Sequence, residues 1–301
     1  MNDRLQQLAL FVRTVESGNF SKAAREFGLS QPSVSRSIAA LERRLGVKLL
    51  IRTTRQVSAT DAGDALVGRA RDALLAIDEA ESAARGADRL AGLLRVALPP
   101  EYGVRRIVPL LPAFFARHPL LKVDLMMSDR YENLIAEGAD VALRIGDLPD
   151  SSFVARKLES TRRLFIASPS YLGGRGAPVS LADLAGHDVI GGPADVGDET
   201  WIGRRNGRIE RQLVSFRVRS RSATGVVACA VAGLGVATAS IWMCAEALAS
   251  GEAVEILTDY ALDPVQAYVV FPAGHRPSQR ARAFSDYLEH ALSPVHPLRN
   301  A

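Results

Sequence analysis

A small α+β module, one long helix and a larger α/β region are what this 301-residue sequence predicts. Three observations carry that expectation. Apolar residues recur at helical spacing in three short segments before Gly46, with two short β-like runs after them. An alanine-rich pattern of nearly 3.5-residue period then continues from residue 61 to about 87. From residue 91 onward apolar strands alternate with helical segments. The length suits about two domains at ~150 residues each, and 48% hydrophobic against 23% charged residues suits ordinary globular cores.

In the first segment Leu8, Phe11, Val12 and Val15 recur at i, i+3, i+4 and i+7, the spacing of a helix that Ser17-Gly18 ends. Phe20-Ser21 restarts the chain. Ser21 is the candidate cap of a short helix through Ala23, Ala24 and Phe27, and Gly28 sits where a left-handed stop is needed. In "LSQPSVSRSIAALERRLG", residues 29–46, Ser30 is placed to cap a third helix. Pro32 is tolerated there because first-turn amides have no partner inside a helix. At ~100° per residue, Val34, Ile38, Leu41 and Leu45 form one stripe. Pro32, Arg36, Ala39 and Arg43 lie opposite, flanked by Gln31, Ser33 and Ser35.

That outer face is polar and slim enough for a DNA major groove about 12 Å wide, where Gln and Arg offer several hydrogen-bonding groups to base edges. Short helix, glycine turn and capped second helix is the helix-turn-helix order; a merely solvated polar face would share the periodicity. Gly46 closes the helix, and "VKLLIRTTRQVSAT" follows as two short apolar runs around a turn at Thr53-Thr54. This reads as a β-ribbon wing, with Arg52 and Arg55 spaced to meet phosphates or the minor groove.

Thr60 or Asp61 caps the long helix, in which Ala62, Leu66, Ala70, Ala73, Ile77, Ala80 and Ala84 form a seam. Such a seam lets two chains pair closely, or packs the helix on its own domain. Pairing would also give a DNA reader the second half-site that one short helix lacks. In the last region, strands are expected at 93–98, 123–127, 141–145, 153–158, 162–168, 188–191, 214–219, 234–238 and 265–271. Residues 101–117 read as a helix carrying Ile107, Leu110, Leu111, Phe114 and Phe115, and 131–137 as a short one. The alternation predicts sheets rich in parallel strands with helices on both faces, and ligands binding beyond the strands' carboxyl ends.

Net charge is +4, but residues 1–58 hold ten Lys/Arg and four Asp/Glu, so that segment carries +6 and the remainder −2. A basic module on a near-neutral body calls for an anionic partner, most simply nucleic acid, although a solvated basic surface has the same composition. Cys229 and Cys244, both in apolar surroundings, offer neither a disulfide framework nor zinc spacing and read as core residues. "MNDRLQQLALFVRTV" lacks the features of an export leader, and no stretch reaches ~18 apolar residues, so a cytoplasmic chain with no membrane partner is expected.

Enzyme readings find little support. His118, His187, His275, His290 and His296 are scattered and form no HExxH or Cys/His pattern. "GLGVA", residues 233–237, falls short of a dinucleotide loop, and neither a GxSxG elbow nor a Walker lysine loop occurs. No catalytic residue, metal or cofactor is expected.

Residues 5–63 resemble the winged helix-turn-helix of LysR-type transcriptional regulators. Ala23-Ala24, Leu29 to Ser35, Ile38, Leu41-Glu42, Leu45-Gly46, Arg52, Arg55 and Thr60 to Gly63 carry the likeness; Ala59 departs from it, standing where the family usually has leucine. The resemblance implies that Gln31, Pro32, Ser35 and Arg36 approach bases or nearby backbone, below the Ser30 cap. It also implies that Ser33, Arg52, Thr53 and Arg55 position the module on double-stranded DNA. "SDRYENLIAEGADVALRIGDLPDSSFVARKL" and "ASPSYL" resemble the same family's effector-binding region, which has the two-lobed fold of periplasmic binding proteins.

The fold class that the resemblance implies is an α+β winged helix-turn-helix domain, a long linker helix, then an α/β two-lobed periplasmic-binding-protein-like effector domain. The expected boundaries are 1–60 for DNA binding, 61–90 for the linker, 91–163 plus 269–301 for lobe I, and 164–268 for lobe II. By resemblance the effector cleft takes Pro99, Pro100, Glu101, Ser128, Asp129, Arg144, Gly192, Trp201, Arg221 and Ser222. Relatives commonly have a small hydroxyl residue at Glu101. A carboxylate there would repel an acidic effector unless Arg144 or Arg221 neutralised it, which favours a neutral, cationic or partly apolar ligand; alternatively Glu101 is a first-turn acid facing solvent.

The expected function is sequence-specific transcriptional regulation by a homodimer or homotetramer. Its partners would be DNA, a small-molecule effector of unknown identity and RNA polymerase. The other class is a transport-type solute-binding protein, which would need an export signal and no basic winged helix.

Overall fold

A computed structural model describes residues 2–52, 57–84, 90–128, 138–146, 148, 154–192, 199–271 and 276–293. Helices α1 (Asn2–Ser17), α2 (Phe20–Glu26) and α3 (Gln31–Leu45) enclose one core built on Leu10, Phe11, Phe20, Val34, Ile38 and Leu41. A fully buried side chain of this size contributes about 1.5–3 kcal/mol. The cap of α2 is Asn19, not Ser21: its Oδ1 accepts from the amides of Ser21 (2.8 Å) and Lys22 (3.1 Å). A cap residue precedes the first helical turn, and here Phe20 already lies inside the helix.

Leu45 leaves the predicted stripe. It is 41% exposed in the last turn before Gly46, whose left-handed φ of 70° ends α3, and Leu49 and Leu50 fill the core beyond Leu41. Strands β1 (Leu50–Arg52) and β2 (Val57–Ala59) pair antiparallel as the wing, whose tip lies outside the described residues.

Helix α4 (Asp61–Ala84) is capped by Thr60, whose Oγ1 accepts from the Gly63 amide (3.0 Å) and donates to the Lys48 carbonyl (2.7 Å). Gly63 is buried where a β-carbon would run into the Leu49 carbonyl oxygen, so helix and wing meet backbone to backbone. The predicted seam divides. Leu66 and Ala70 pack on the module's own core with Val67 and Leu74, while Ala62, Ala73, Ala80 and Ala84 stay exposed. The expected continuation over 85–87 lies outside the described residues.

Lobe I holds β3 (Ala91–Leu98), β4 (Leu120–Met127), β5 (Val141–Ile145), β6 (Val154–Thr161) and the late strand β14 (Val265–Phe271), in the order β4-β3-β5-β14-β6. The expected helix over 101–117 is broken into α5 (Pro100–Tyr102), a widened turn (Gly103–Ile107), a tight turn (Val108–Leu110) and α6 (Leu111–Arg117). Pro109 and Pro112 explain the break, since each lacks an N–H and crowds the carbonyl four residues back. The expected helix 131–137 lies outside the described residues.

Lobe II follows from β7 (Arg163–Ala167), α7 (Pro169–Arg175) and β8 (Val189–Gly191). A hairpin of β9 (Glu199–Arg205) and β10 (Arg208–Val214) precedes β11 (Phe216–Arg219), α8 (Ala223–Val231), β12 (Val236–Ser240), α9 (Ile241–Ser250) and β13 (Val254–Ile256). Its sheet runs β11-β8-β12-β7-β13, and successive β7 residues serve opposite layers: Leu164 and Ile166 meet α8 and α9, while Phe165 and Ala167 meet Trp201 and Tyr260. The chain returns through β14 to α10 (Gln279–Leu292), whose Phe284 and Leu288 complete the lobe I core.

Three expectations change here. Each sheet is mixed, with two parallel and two antiparallel pairings, because β14 and β7 are the strands at which the chain crosses between lobes. The whole of β14 belongs to lobe I, so the boundary at 268/269 would cut a hydrogen-bonded strand, and Arg163 belongs to lobe II as the start of β7. The β9–β10 hairpin and β13 were not expected; residue 214 belongs to the hairpin rather than to β11.

Candidate DNA interface and inter-lobe cavity

Helix α3 presents its polar residues as its mounting dictates. Val34, Ile38 and Leu41 are fully buried, which turns Gln31, Pro32 and Arg36 outward and leaves Ser33 and Ser35 half-buried on the flanks. Ser30 caps the helix, its Oγ accepting from the Ser33 amide at 3.4 Å and lying 2.8 Å from Ser33 Oγ. Ser33 Oγ in turn accepts from Arg36 Nη2 at 3.3 Å, so the cap and the arginine side chain are held by one hydroxyl. Arg52 closes β1; Thr53 and Arg55 lie outside the described residues.

Glu42, which the helical stripe did not single out for the core, locks α3 to the wing. It is 3% exposed and accepts from the amides of Leu49 (2.9 Å) and Leu50 (3.3 Å) and from Lys48 Nζ (2.9 Å). Burial pushes the carboxyl pKa up, but these donors outweigh it and hold the pKa below the ordinary value. The unsatisfied amides of a strand that follows a helix closely are the signal that could have found it.

Between the lobes lies a cavity of about 340 Å³, within the usual range for small-molecule sites. Pro99, Pro100, Glu101, Ser128, Arg144, Gly192, Trp201, Arg221 and Ser222 all line it; Asp129 lies outside the described residues. Apolar walls come from Tyr102, Met126, Leu143 and Met243. Arg163, Glu199 and Thr224 also face the cavity and were missed, because nothing in their immediate sequence marks them.

Glu101 neither faces solvent alone nor stands uncompensated. Its Oε1 accepts from Arg105 Nε and its Oε2 from Thr224 Oγ1 across the cleft, both at 2.5 Å. Thr224 and Arg105 hold its carboxyl pKa below the ordinary value against a smaller desolvation effect. The preference for a neutral or cationic ligand rested on a bare carboxylate, and compensation comes from Arg105 rather than from Arg144 or Arg221. Arg105 Nη1 also donates to Glu246 Oε2 of lobe II (2.9 Å), and Tyr102 meets Trp242 edge-on at 5.2 Å. Together these contacts form a latch between the lobes. Tyr102 is fixed from below by Glu159, which accepts its hydroxyl at 2.7 Å and a two-pronged contact from Arg106. Burial and the Glu159 charge raise the phenol pKa, so it stays a neutral donor.

Comparison with known proteins places both halves in one family. The family model described as "Bacterial regulatory helix-turn-helix protein, lysR family" matches residues 5–64, and the one described as "LysR substrate binding domain" matches residues 87–293. The probable HTH-type transcriptional regulator LtrA of Klebsiella pneumoniae is 34% identical, covering 97% of this chain and 96% of its own. The solved structure of CrgA, a LysR-type transcriptional regulator from Neisseria meningitidis, is 31% identical with a TM-score of 0.60, covering 96% of this chain and 98% of that one. The full-length structure of AphB, the Vibrio cholerae virulence activator, is 26% identical with a TM-score of 0.58, covering 94% and 98%. The relatives are named as transcriptional regulators, not as transport solute-binding proteins.

Proposed function

The chain belongs to the LysR family of DNA-binding transcriptional regulators with an effector-binding domain, and on that premise we propose how its residues divide the work. Gln31, Pro32, Ser35 and Arg36 read bases, Ser30 and Ser33 set their geometry, and Arg52, Thr53 and Arg55 hold the duplex backbone. The observation that carries this reading is the outward polar face of α3 above three fully buried side chains. Residues 1–60 then form the DNA-binding unit and 61–90 the linker. Two or four chains pair through the exposed alanines of α4, giving the half-sites that one reading helix lacks. RNA polymerase is the further partner.

The cavity, lined by Pro99, Pro100, Glu101, Ser128, Arg144, Gly192, Trp201, Arg221 and Ser222, takes the effector, and Asp129 is counted with them as the resemblance implies. With Glu101 committed to Arg105 and Thr224, Arg163 and Arg221 are the described cationic side chains set across from Glu199 in the cavity wall. The ligand class is therefore a small anion with an apolar body, lying against Trp201 and Met243. Its binding favours one arrangement of the lobes over another, and only that difference in affinity can alter DNA contacts.

The first experiment is a gel shift with duplexes covering the DNA around the chain's own gene, repeated across salt concentrations. Specific binding that weakens steeply with salt is expected; absence of salt-sensitive binding overturns the reading. Small apolar carboxylates and their amides, compared by thermal shift on the wild type and Arg221→Ala, then test the ligand class. Amides stabilising the protein as well as acids would refute it.

A further inference from the structure

Among the described residues, one side-chain contact joins the amino-terminal module to lobe I of the same chain and another joins the linker helix α4 to it. In the first, Arg95 on β3 donates from Nη2 to Glu26 Oε2 at 2.7 Å, at the end of α2. Glu26 is already gripped by Arg13 of α1 through Nε (2.5 Å) and Nη2 (2.6 Å), and Arg13 also reaches Glu16 (3.5 Å), which accepts from Arg71 of α4 (2.9 Å). The backbone amide of Arg95 donates to Asp140 Oδ2 at 2.7 Å. In the second, Arg280 of α10 donates to Asp78 Oδ2 of α4 (3.0 Å) and to the Ala91 carbonyl (3.2 Å). Gly138, just before Asp140, lies so close to Arg13 that a β-carbon there would collide with its guanidinium.

This interface has the character of a contact that opens. Arg13, Arg71, Arg95 and Arg280 pair with Glu16, Glu26 and Asp78, so the described side-chain contacts between the parts are charged. The buried Nε atoms of Arg95 and Arg280 have no hydrogen-bond partner among the described residues.

Its location links it to the cavity. Strand β3 carries Arg95 in its second half and continues through Ala97 and Leu98 to Glu101, all of which line the cavity. Asp140 precedes β5, whose Leu143, Arg144 and Ile145 line the same cavity. The two strands pair in parallel at Val96–Val141 and Ala97–Ala142. At ~3.3 Å per residue, the charged ends and the cavity ends stand only about 10–13 Å apart along continuous strands.

We propose that the Arg95–Glu26 and Arg280–Asp78 contacts form an intramolecular clasp that docks the DNA-binding module and its linker helix on lobe I and carries the state of the cavity to the reading helix. The link to the cavity rests on the regulatory reading above; the docking itself does not. A shift of β3 and β5 at the cavity moves Arg95 and Asp140 with it, and the clasp then closes or releases.

The test uses the full chain, with Arg95→Gln and Asp78→Asn as releasing variants and Arg95→Lys and Asp78→Glu as charge-preserving controls. Amide hydrogen exchange is followed by mass spectrometry without DNA. Arg95→Gln should exchange faster in α2 and in 138–142, and Asp78→Asn faster in the second half of α4, while β14 keeps wild-type protection; the controls should lie nearer wild type. Wild-type exchange in α2 and 138–142, or faster exchange throughout lobe I, overturns the clasp.

Affinity for a duplex that the wild type binds should change by about threefold or more, roughly 0.65 kcal/mol, in Arg95→Gln at fixed salt. Faster exchange with unchanged affinity refutes the coupling and leaves a mere docking contact. Failure of the wild type to bind any duplex would instead count against the regulatory reading, because the exchange arm needs no DNA.

Discussion

The reading helix and the inter-lobe cavity expose polar groups in opposite ways. Every group on the face of α3 projects from one helix of 15 residues, and three fully buried side chains of that same helix fix its orientation. The cavity draws its walls from both sheets, and among the described residues the contacts Glu101–Thr224, Arg105–Glu246 and Tyr102–Trp242, with Met243 packed on the lobe I core, set one wall against the other. The reading face is thus built to be moved as a unit, and the cavity to change shape. Under the proposed function this contrast supplies a rigid reader and an adjustable cavity, the division that a ligand-responsive regulator needs.

The strongest way to break that contrast is to unmount the reader. Ile38→Ala should cost the module about 2–5 kcal/mol, seen as a lower first transition in calorimetry, and should abolish gel-shift binding while leaving lobe stability unchanged. Equal destabilisation of the lobes would mean that the two regions are not independent. Arg36→Ala should next erase about 1–3 kcal/mol of discrimination at one base position. Arg55→Ala should weaken all duplexes about equally and lower the salt slope by about 1. Quantitative binding to a panel of single-base operator variants separates these outcomes; unchanged selectivity in Arg36→Ala removes it from the reading face.

Acid should distinguish the regions more mildly. Glu42 has a folded-state pKa below its unfolded value, so its stabilisation is complete above the ordinary carboxylate pKa of ~4.3 and is lost as pH falls through the lowered one. Denaturant unfolding of the module should lose stability over that acid window, and Glu42→Gln should flatten that limb. An unchanged acid limb in the variant would show that Glu42 does not set it. The smallest effect belongs to the latch. Thr224→Val removes one donor to Glu101 and should loosen the lobes by about 1 kcal/mol or less, read as faster hydrogen exchange at the start of α8 with unaltered DNA binding by the ligand-free protein.

The same contrast explains what was legible in the sequence. The Ser30 cap, the stripe Val34-Ile38-Leu41 and the Gly46 stop are local, so spacing alone reaches them. Glu42 is local in sequence but takes its partners from the wing, beyond the reach of helical periodicity. Resemblance supplied nine residues that line the cavity, with Asp129 outside the described residues. Residues alone could not have gathered Pro99 with Trp201 and Arg221, because their meeting depends on how two sheets face each other. Pro109 and Pro112 were visible breaks in the expected helix over 101–117, and Asn206-Gly207 was a visible hairpin turn: both adopt positive φ, 51° and 77°, at the tip of β9–β10. The charged contact between module and lobe I left no mark in the sequence, since its members are scattered from Arg13 to Arg280.

Gly63 gives the molecule a stiff pivot. With no side chain between α4 and the wing carbonyl of Leu49, the helix leaves the module at a set angle, and its 24 residues reach about 36 Å from that point. A tilt of ~10° at the pivot displaces the far end by about 6 Å, close to two base-pair steps of ~3.4 Å. On the proposed reading α4 is a long pointer, in which a small adjustment at the root becomes a displacement of several ångström at the far end.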